Sequence, residues 1–236
     1  MHRSADLFAA AAKRGFRLER LFGPVVALML ALATLLAVSA GDAAPADHAP
    51  PATPQAPIET VTDDALAVLR TNRHVAVSQD AHGVAAQIAA IVDPYLDFTL
   101  MSEEVLGVGW RRADTQQRTR FMQVFRQLLT DDYAAVFKQY TGQTIKVMDS
   151  RWDDDAHDRA TVTSQLESPG AQPVEVDYRL FHTGGRWKVY DVVVEGVSLL
   201  VNYREEFAAE LQHESLDALI ARLEDKVSVL ASHVSQ

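Results

Sequence analysis

The sequence predicts an α+β domain, and three observations along its 236 residues carry that expectation. Apolar residues recur with a helical spacing of about 3.6 as far as Tyr140, alternate with a period of about 2 from Thr144 to Val194, and resume the helical spacing beyond Asn202. The alternating segments are joined by short, turn-rich connections, which predicts an antiparallel meander. Alternation also leaves one face of that sheet apolar, and the helices on either side are its natural cover. The expected architecture is a four-stranded, curved antiparallel sheet packed with about six helices around an apolar pocket, without internal repeats.

In chain order, Lys13, Arg14, Arg17 and Arg20 precede an uncharged apolar run from Pro24 to Ala40, and Val38-Ser39-Ala40 places small residues where a signal peptidase cuts. Residues 1–40 are therefore expected to be a cleavable signal peptide; an uncleaved anchor is the alternative, because the run is close to the minimum spanning length of about 17 residues. Residues 41–60 are expected to be an extended linker rich in Ala and Pro, with Pro45, Pro50, Pro51, Pro54 and Pro57 in it. The folded domain is expected over residues 61–230.

Helical spacing marks Asp63 to Arg70, His82 to Tyr95 and Phe98 to Leu106. The fourth helix has the clearest signal. Asp114 or Thr115 caps it, Gln117 is placed to reach back, and Phe121, Val124, Phe125, Leu128 and Leu129 begin a stripe that runs to Tyr140, with Gly142 as the stop. Strands are expected at Thr144 to Asp149, Arg159 to Glu167, Pro173 to Thr183 and Arg186 to Val194, with turns at Asp153–Ala156, Ser168–Gly170 and His182–Gly185. Two helices close the chain, the first capped by Asn202 with Glu205 and the second starting at Ser215.

Composition narrows the function. With 32 acidic against 22 basic residues the formal net charge is -10, and removal of residues 1–40 leaves 17 basic against 30 acidic. That balance opposes nucleic-acid binding, which depends on phosphate neutralisation, and it disfavours adsorption to anionic lipid through a basic patch. The chain has no cysteine, so disulfides, thiolate metal sites and cysteine nucleophiles are excluded.

Residues that suggest chemistry have simpler explanations. Asp153, Asp154, Asp155, His157 and Asp158 concentrate oxygen ligands but lack EF-hand spacing, and a solvated hairpin tip accounts for them. Glu103 and Glu104 are adjacent on a helix and cannot flank one glycosidic bond. Ser198 follows Gly196-Val197 like half of a nucleophile elbow, but Leu200 occupies the position of the second glycine. No two histidines have the i, i+4 spacing of a helical metal pair, and Gly184-Gly185 leads into a strand rather than a helix, which excludes a phosphate loop. No catalytic residue, metal or cofactor is expected. What remains is apolar: Leu106, Phe121, Phe125, Val147, Val162, Tyr178, Leu180, Trp187 and Val189 lie on facing stripes, a pattern that fits an ordinary core and a cavity lining equally.

Several strings add a resemblance. Asp177-Tyr178-Arg179-Leu180, Trp187-Lys188-Val189-Tyr190-Asp191-Val192, Glu195-Gly196-Val197-Ser198-Leu199 and Tyr203-Arg204 before Phe207 are specific in combination. Upstream, Leu106-Gly107, Trp110-Arg111, Gln117-Arg118, Phe121 to Phe125 and Tyr140-Thr141-Gly142 extend the match, so that from about Ala65 to Val227 the chain resembles the MlaC family of periplasmic phospholipid-binding proteins. Val108-Gly109 departs from the pattern, where a basic or aromatic residue commonly precedes the tryptophan. The resemblance implies an NTF2-like sheet and a soluble periplasmic carrier of phospholipid, or of hopanoid in a related subgroup. It also implies two partners, an inner-membrane Mla-type ABC transporter complex and an outer-membrane lipoprotein complex, and a role in outer-membrane lipid asymmetry. On that reading the nine stripe residues are the lipid lining.

Overall fold

The structure is a computed structural model that describes residues 53–72, 81–137, 140 and 142–232. The expected signal peptide and most of the expected linker lie outside these residues. Helix α1 runs Gln55–Thr71, eight residues ahead of the segment expected from Asp63, and so takes in residues 55–60 of the stretch read as linker. The prolines explain the difference. Pro54 is the N-cap and Pro57 sits in the first turn, where backbone N–H groups have no intrahelical partner and a missing donor costs nothing, while Ile58 is fully buried.

Helix α2 (Ala81–Val92) leads through a 3-10 turn at Asp93–Tyr95 into α3 (Phe98–Leu106), whose N-cap Asp97 accepts a hydrogen bond from Leu100 N. A short helix, α4 (Val108–Arg112), was not expected from the spacing; Gly107 makes the corner before it, at φ 53° and ψ -111°. The long helix α5 spans Thr115–Phe137. It starts with the expected reciprocal cap, in which Gln117 N donates to Asp114 Oδ1 at 2.8 Å and Asp114 N donates to Gln117 Oε1 at 3.1 Å. Phe121, Val124, Phe125, Leu128 and Leu129 are all buried, one face at the spacing i, i+3, i+4, i+7, i+8.

The sheet has five antiparallel strands in sequential order, β1 (Thr144–Trp152), β2 (Arg159–Glu167), β3 (Val174–Thr183), β4 (Arg186–Val194) and β5 (Val197–Ser198), rather than four. The fifth is two residues long, too short for a periodic signal, and is set by Val193 and Val194 pairing back with Ser198 and Val197. Two bulges interrupt the register. Val147 pairs with Ser164 but Asp149 with Thr163, which makes Met148 an extra residue; Leu180 pairs with Val189 but Arg179 with Asp191, which does the same for Tyr190. Each bulge bends its strand and raises its twist. The second also moves Asp191 to the side of the sheet that Arg179 occupies, opposite to Val189.

Helix α6 (Leu199–Glu210) follows at once, and α7 (Leu216–Ser232) ends the described chain. The N-cap of α6 is Ser198, not Asn202: Ser198 Oγ accepts from Val201 N at 3.1 Å. Helix α5 packs chiefly against α7 and α2, whereas the sheet is met by α1 on β1 and by α3 and α6 on β4. Arg120 bridges α5 to Glu224 and Asp217 of α7, and Arg204 of α6 grips Glu104 of α3 through both its main-chain and side-chain oxygens.

Candidate functional site

The helix-facing side of the sheet and the helices above it form one apolar interior. Along the sheet, Val162 pairs with Tyr178, and Leu180 lies between Ala160 and Val189. Above it, α5 and α6 interleave four aromatic rings: Phe121 and Phe125 are stacked at 5.5 Å, Phe207 meets Phe121 edge-on at 5.8 Å, and Tyr203 meets Phe125 edge-on at 5.3 Å. Of the nine stripe residues, Leu106, Phe121, Phe125, Val162, Tyr178, Leu180, Trp187 and Val189 belong to a single buried cluster, and Val147 is half-buried against it. Among the described residues these side chains are buried core or half-buried against it, and the pocket expected around them is not shown.

Their individual surroundings differ. Leu106 also floors an open groove of about 790 Å³ between α3 and α4 on one side and α6 and α7 on the other, with Arg111, Arg112 and Arg204 on its rim. Trp187 is at the far tip of the sheet beside Trp152 (5.6 Å) and His182 (4.9 Å). Tyr178 carries the one hydroxyl among the nine. Burial pushes its phenol well above the ordinary range, while a hydrogen bond with the Ser164 hydroxyl works the other way; Ser164 Oγ in turn donates to Val176 O at 3.1 Å.

A second opening had no forecast. Between α2, the 3-10 turn and α5 lies a narrow crevice of about 10 Å³, room for roughly one water molecule. Ile88, Val92, Leu96, Phe98 and Leu129 line it with Ala85 and Ala89, and an ion pair between Arg126 and Asp93 stands at its rim. The stretch from Ala85 to Val92, small or apolar except for Gln87, was the available signal, since a helix face of small and apolar residues packs closely on a neighbour.

The chemically suggestive residues have structural roles. Ser198 donates to Asp191 Oδ2 at 2.7 Å, so the hydroxyl caps a helix and satisfies a buried carboxylate at once. Asp191 is 3% exposed and also accepts from Leu200 N and Arg179, each at 3.1 Å. Burial raises its carboxyl above the ordinary value, against the opposing pull of Ser198, Leu200 and Arg179. At the β1–β2 tip, Asp153 Oδ2 accepts from Thr161 Oγ1 at 2.7 Å, and the hydrogen bond to Asp154 holds the Asp158 carboxyl above its usual range. Among the described residues, no three carboxylates or imidazoles converge on a metal-sized site.

Comparison with known proteins settles the family. Residues 59–225 match the family described as MlaC protein. The chain belongs to the MlaC family. Among MlaC relatives it is 24% identical over 154 residues to the intermembrane phospholipid transport system binding protein MlaC of Haemophilus influenzae, a match that covers 64% of this chain and 72% of that protein. It is 27% identical over 166 residues to the toluene tolerance protein ttg2D of Pseudomonas putida, covering 70% and 76% respectively. A phospholipid-binding protein from Ralstonia solanacearum, solved in complex with a phospholipid, superposes with a TM-score of 0.66 at 26% identity, covering 76% of this chain and 99% of that one. The MlaC fold as it stands here is an α+β domain with a five-stranded open sheet and, among the described residues, seven helices. No helix among those residues is long and apolar enough to cross a membrane.

Proposed function

We propose that this protein is a periplasmic phospholipid carrier that exchanges lipid with an inner-membrane Mla-type ABC transporter complex and an outer-membrane lipoprotein complex, and performs no covalent chemistry. The observation that carries the reading is the match in fold and sequence, over 76% of this chain and 99% of the other, to a protein solved with phospholipid bound. Residues 1–40 supply export as a cleavable signal peptide on this reading. The physical case is the cost of the aqueous gap: at about 0.8 kcal/mol per methylene, two long acyl chains resist transfer into water by more than about 20 kcal/mol. An apolar interior removes that barrier. The complex must also lie near the bilayer in free energy, because a much deeper well would keep the lipid and a shallower one would stay empty.

In this reading the acyl chains occupy the space between the sheet and α5, against Leu106, Phe121, Phe125, Val147, Val162, Tyr178, Leu180, Trp187 and Val189. Those residues are buried in one cluster or half-buried against it, and on this reading loading opens a space between the helices and the sheet. The test is organic extraction of the protein purified without detergent, followed by mass spectrometry. Stoichiometric glycerophospholipid is expected, and Val162→Trp or Leu180→Trp should abolish it while the fold survives. Recovery of hopanoid would replace the ligand; a folded protein that repeatedly carries neither would point to an adaptor with a solid core.

A further inference from the structure

Resting on the carrier reading, we propose that Arg126 binds the phosphate of the carried lipid at the mouth of the crevice between α2 and α5, where Asp93 occupies its guanidinium in this structure. A phospholipid places an anionic group a few bonds from its acyl chains, so its site needs a cation directly on the border of an apolar recess. The crevice itself is too small for a chain, but its walls Ile88, Val92, Leu96 and Leu129 belong to the same buried cluster as the proposed chain contacts, Phe98 packs against that cluster, and the charged residues that line the crevice are Arg126 and Asp93.

Arg126 is held on that border from two sides. Its NH2 group donates to Asp93 Oδ2, and its guanidinium carbon lies 5.6 Å from the centre of the Phe98 ring. The side chain remains 56% exposed, while Asp93 is only 15% exposed. A guanidinium presents five N–H donors in a planar fork that suits phosphate oxygens, and the single Asp93 contact leaves most of that fork open. Asp93 thus behaves as an internal anion that a phosphate can displace. Helix α5, which carries Arg126, also carries Phe121 and Phe125 into the interior, so a headgroup held here lies on the same helix as the expected chain contacts.

The test is a competition. Lipid-stripped protein is incubated with vesicles that contain phosphatidylglycerol and a chain-matched diacylglycerol in equal amounts, re-isolated, and its bound lipids are counted by mass spectrometry. Wild type should favour phosphatidylglycerol; Arg126→Gln should cut that ratio about tenfold, the order of one charge-assisted hydrogen bond, and leave diacylglycerol uptake unchanged. Asp93→Asn, which frees Arg126 without removing it, should raise the ratio and serves as the second test should Arg126→Gln fail to fold. An unchanged ratio in Arg126→Gln, or a lowered one in Asp93→Asn, overturns the proposal. Excess inorganic phosphate should leave the wild-type ratio intact; suppression to the Arg126→Gln level would assign the site to free phosphate instead. Uptake of neither lipid by the wild type would sink the carrier reading itself, whereas uptake of both with no effect of Arg126→Gln would sink only the role of Arg126.

Discussion

Replacing Asp191 with alanine should destabilise the protein by about 2–3 kcal/mol. The carboxylate is buried and accepts from Ser198 Oγ, Leu200 N and Arg179. Its loss leaves the Leu200 N–H, on a residue 3% exposed, without its acceptor, at a cost of about 1–3 kcal/mol, and the Ser198 hydroxyl loses a charge-assisted partner. Arg179 adds little, since its side chain is 41% exposed and water replaces the carboxylate. Relief of the buried charge offsets part of the loss, because burial already disfavours ionisation of Asp191. Asp191→Asn keeps an oxygen for Leu200 and should cost less than half as much. Urea unfolding followed by tryptophan fluorescence reads the difference: with a slope of about 2 kcal/mol per M, the alanine midpoint falls by about 1 M or more. The pH dependence has a fixed sign. Since the folded-state pKa of Asp191 is raised above 3.8, the proton-linked part of its contribution is full below that value and is lost as pH rises through the elevated folded value, while its hydrogen bonds to Ser198 and Leu200 remain. Asp191→Asn should flatten that part of the profile. An alanine variant within about 0.5 kcal/mol of wild type would refute the reasoning.

Other substitutions probe the packing. Phe125→Ala removes a fully buried ring that contacts Phe121, Tyr203 and Phe207, and should cost about 3–5 kcal/mol in the same urea assay unless the helices collapse into the gap. At the α3–α4 corner, Gly107→Ala meets no neighbouring atom, yet its backbone has φ +53°; a loss of about 1–2 kcal/mol is expected from strain alone, and a neutral result would show that the corner relaxes.

The helices of the domain were legible because their signal is local. Phe121, Val124, Phe125, Leu128 and Leu129 repeat on one face of α5, and Asp114 with Gln117 writes its start, all within a few turns of chain. The alternation of Val174, Val176, Tyr178 and Leu180 declared β3 in the same way, and Val176, Tyr178 and Leu180 are buried. Tertiary pairing decided the rest. Tyr190 is an extra residue only because Arg179 pairs with Asp191 and Leu180 with Val189, and without that bulge Asp191 would share its side with Val189 instead of Arg179. From that position it reaches Ser198 and draws the start of α6 forward to Leu199, ahead of the cap that local spacing suggested at Asn202.

The candidate site divides along the same line. Spacing alone identified the apolar residues that become the interior, because burial of one face is the force behind the periodicity. Spacing has no access to how far apart two packed faces stand, so it could not distinguish a filled core from an open lining. The Arg126–Asp93 pair is the clearest case: the two residues are separated by 33 positions, and no pattern in either segment links them. Only the packing of α2 and the 3-10 turn against α5 brings a cation, an anion and an apolar recess together, since contacts between distant segments depend on the whole fold and leave no period in the sequence.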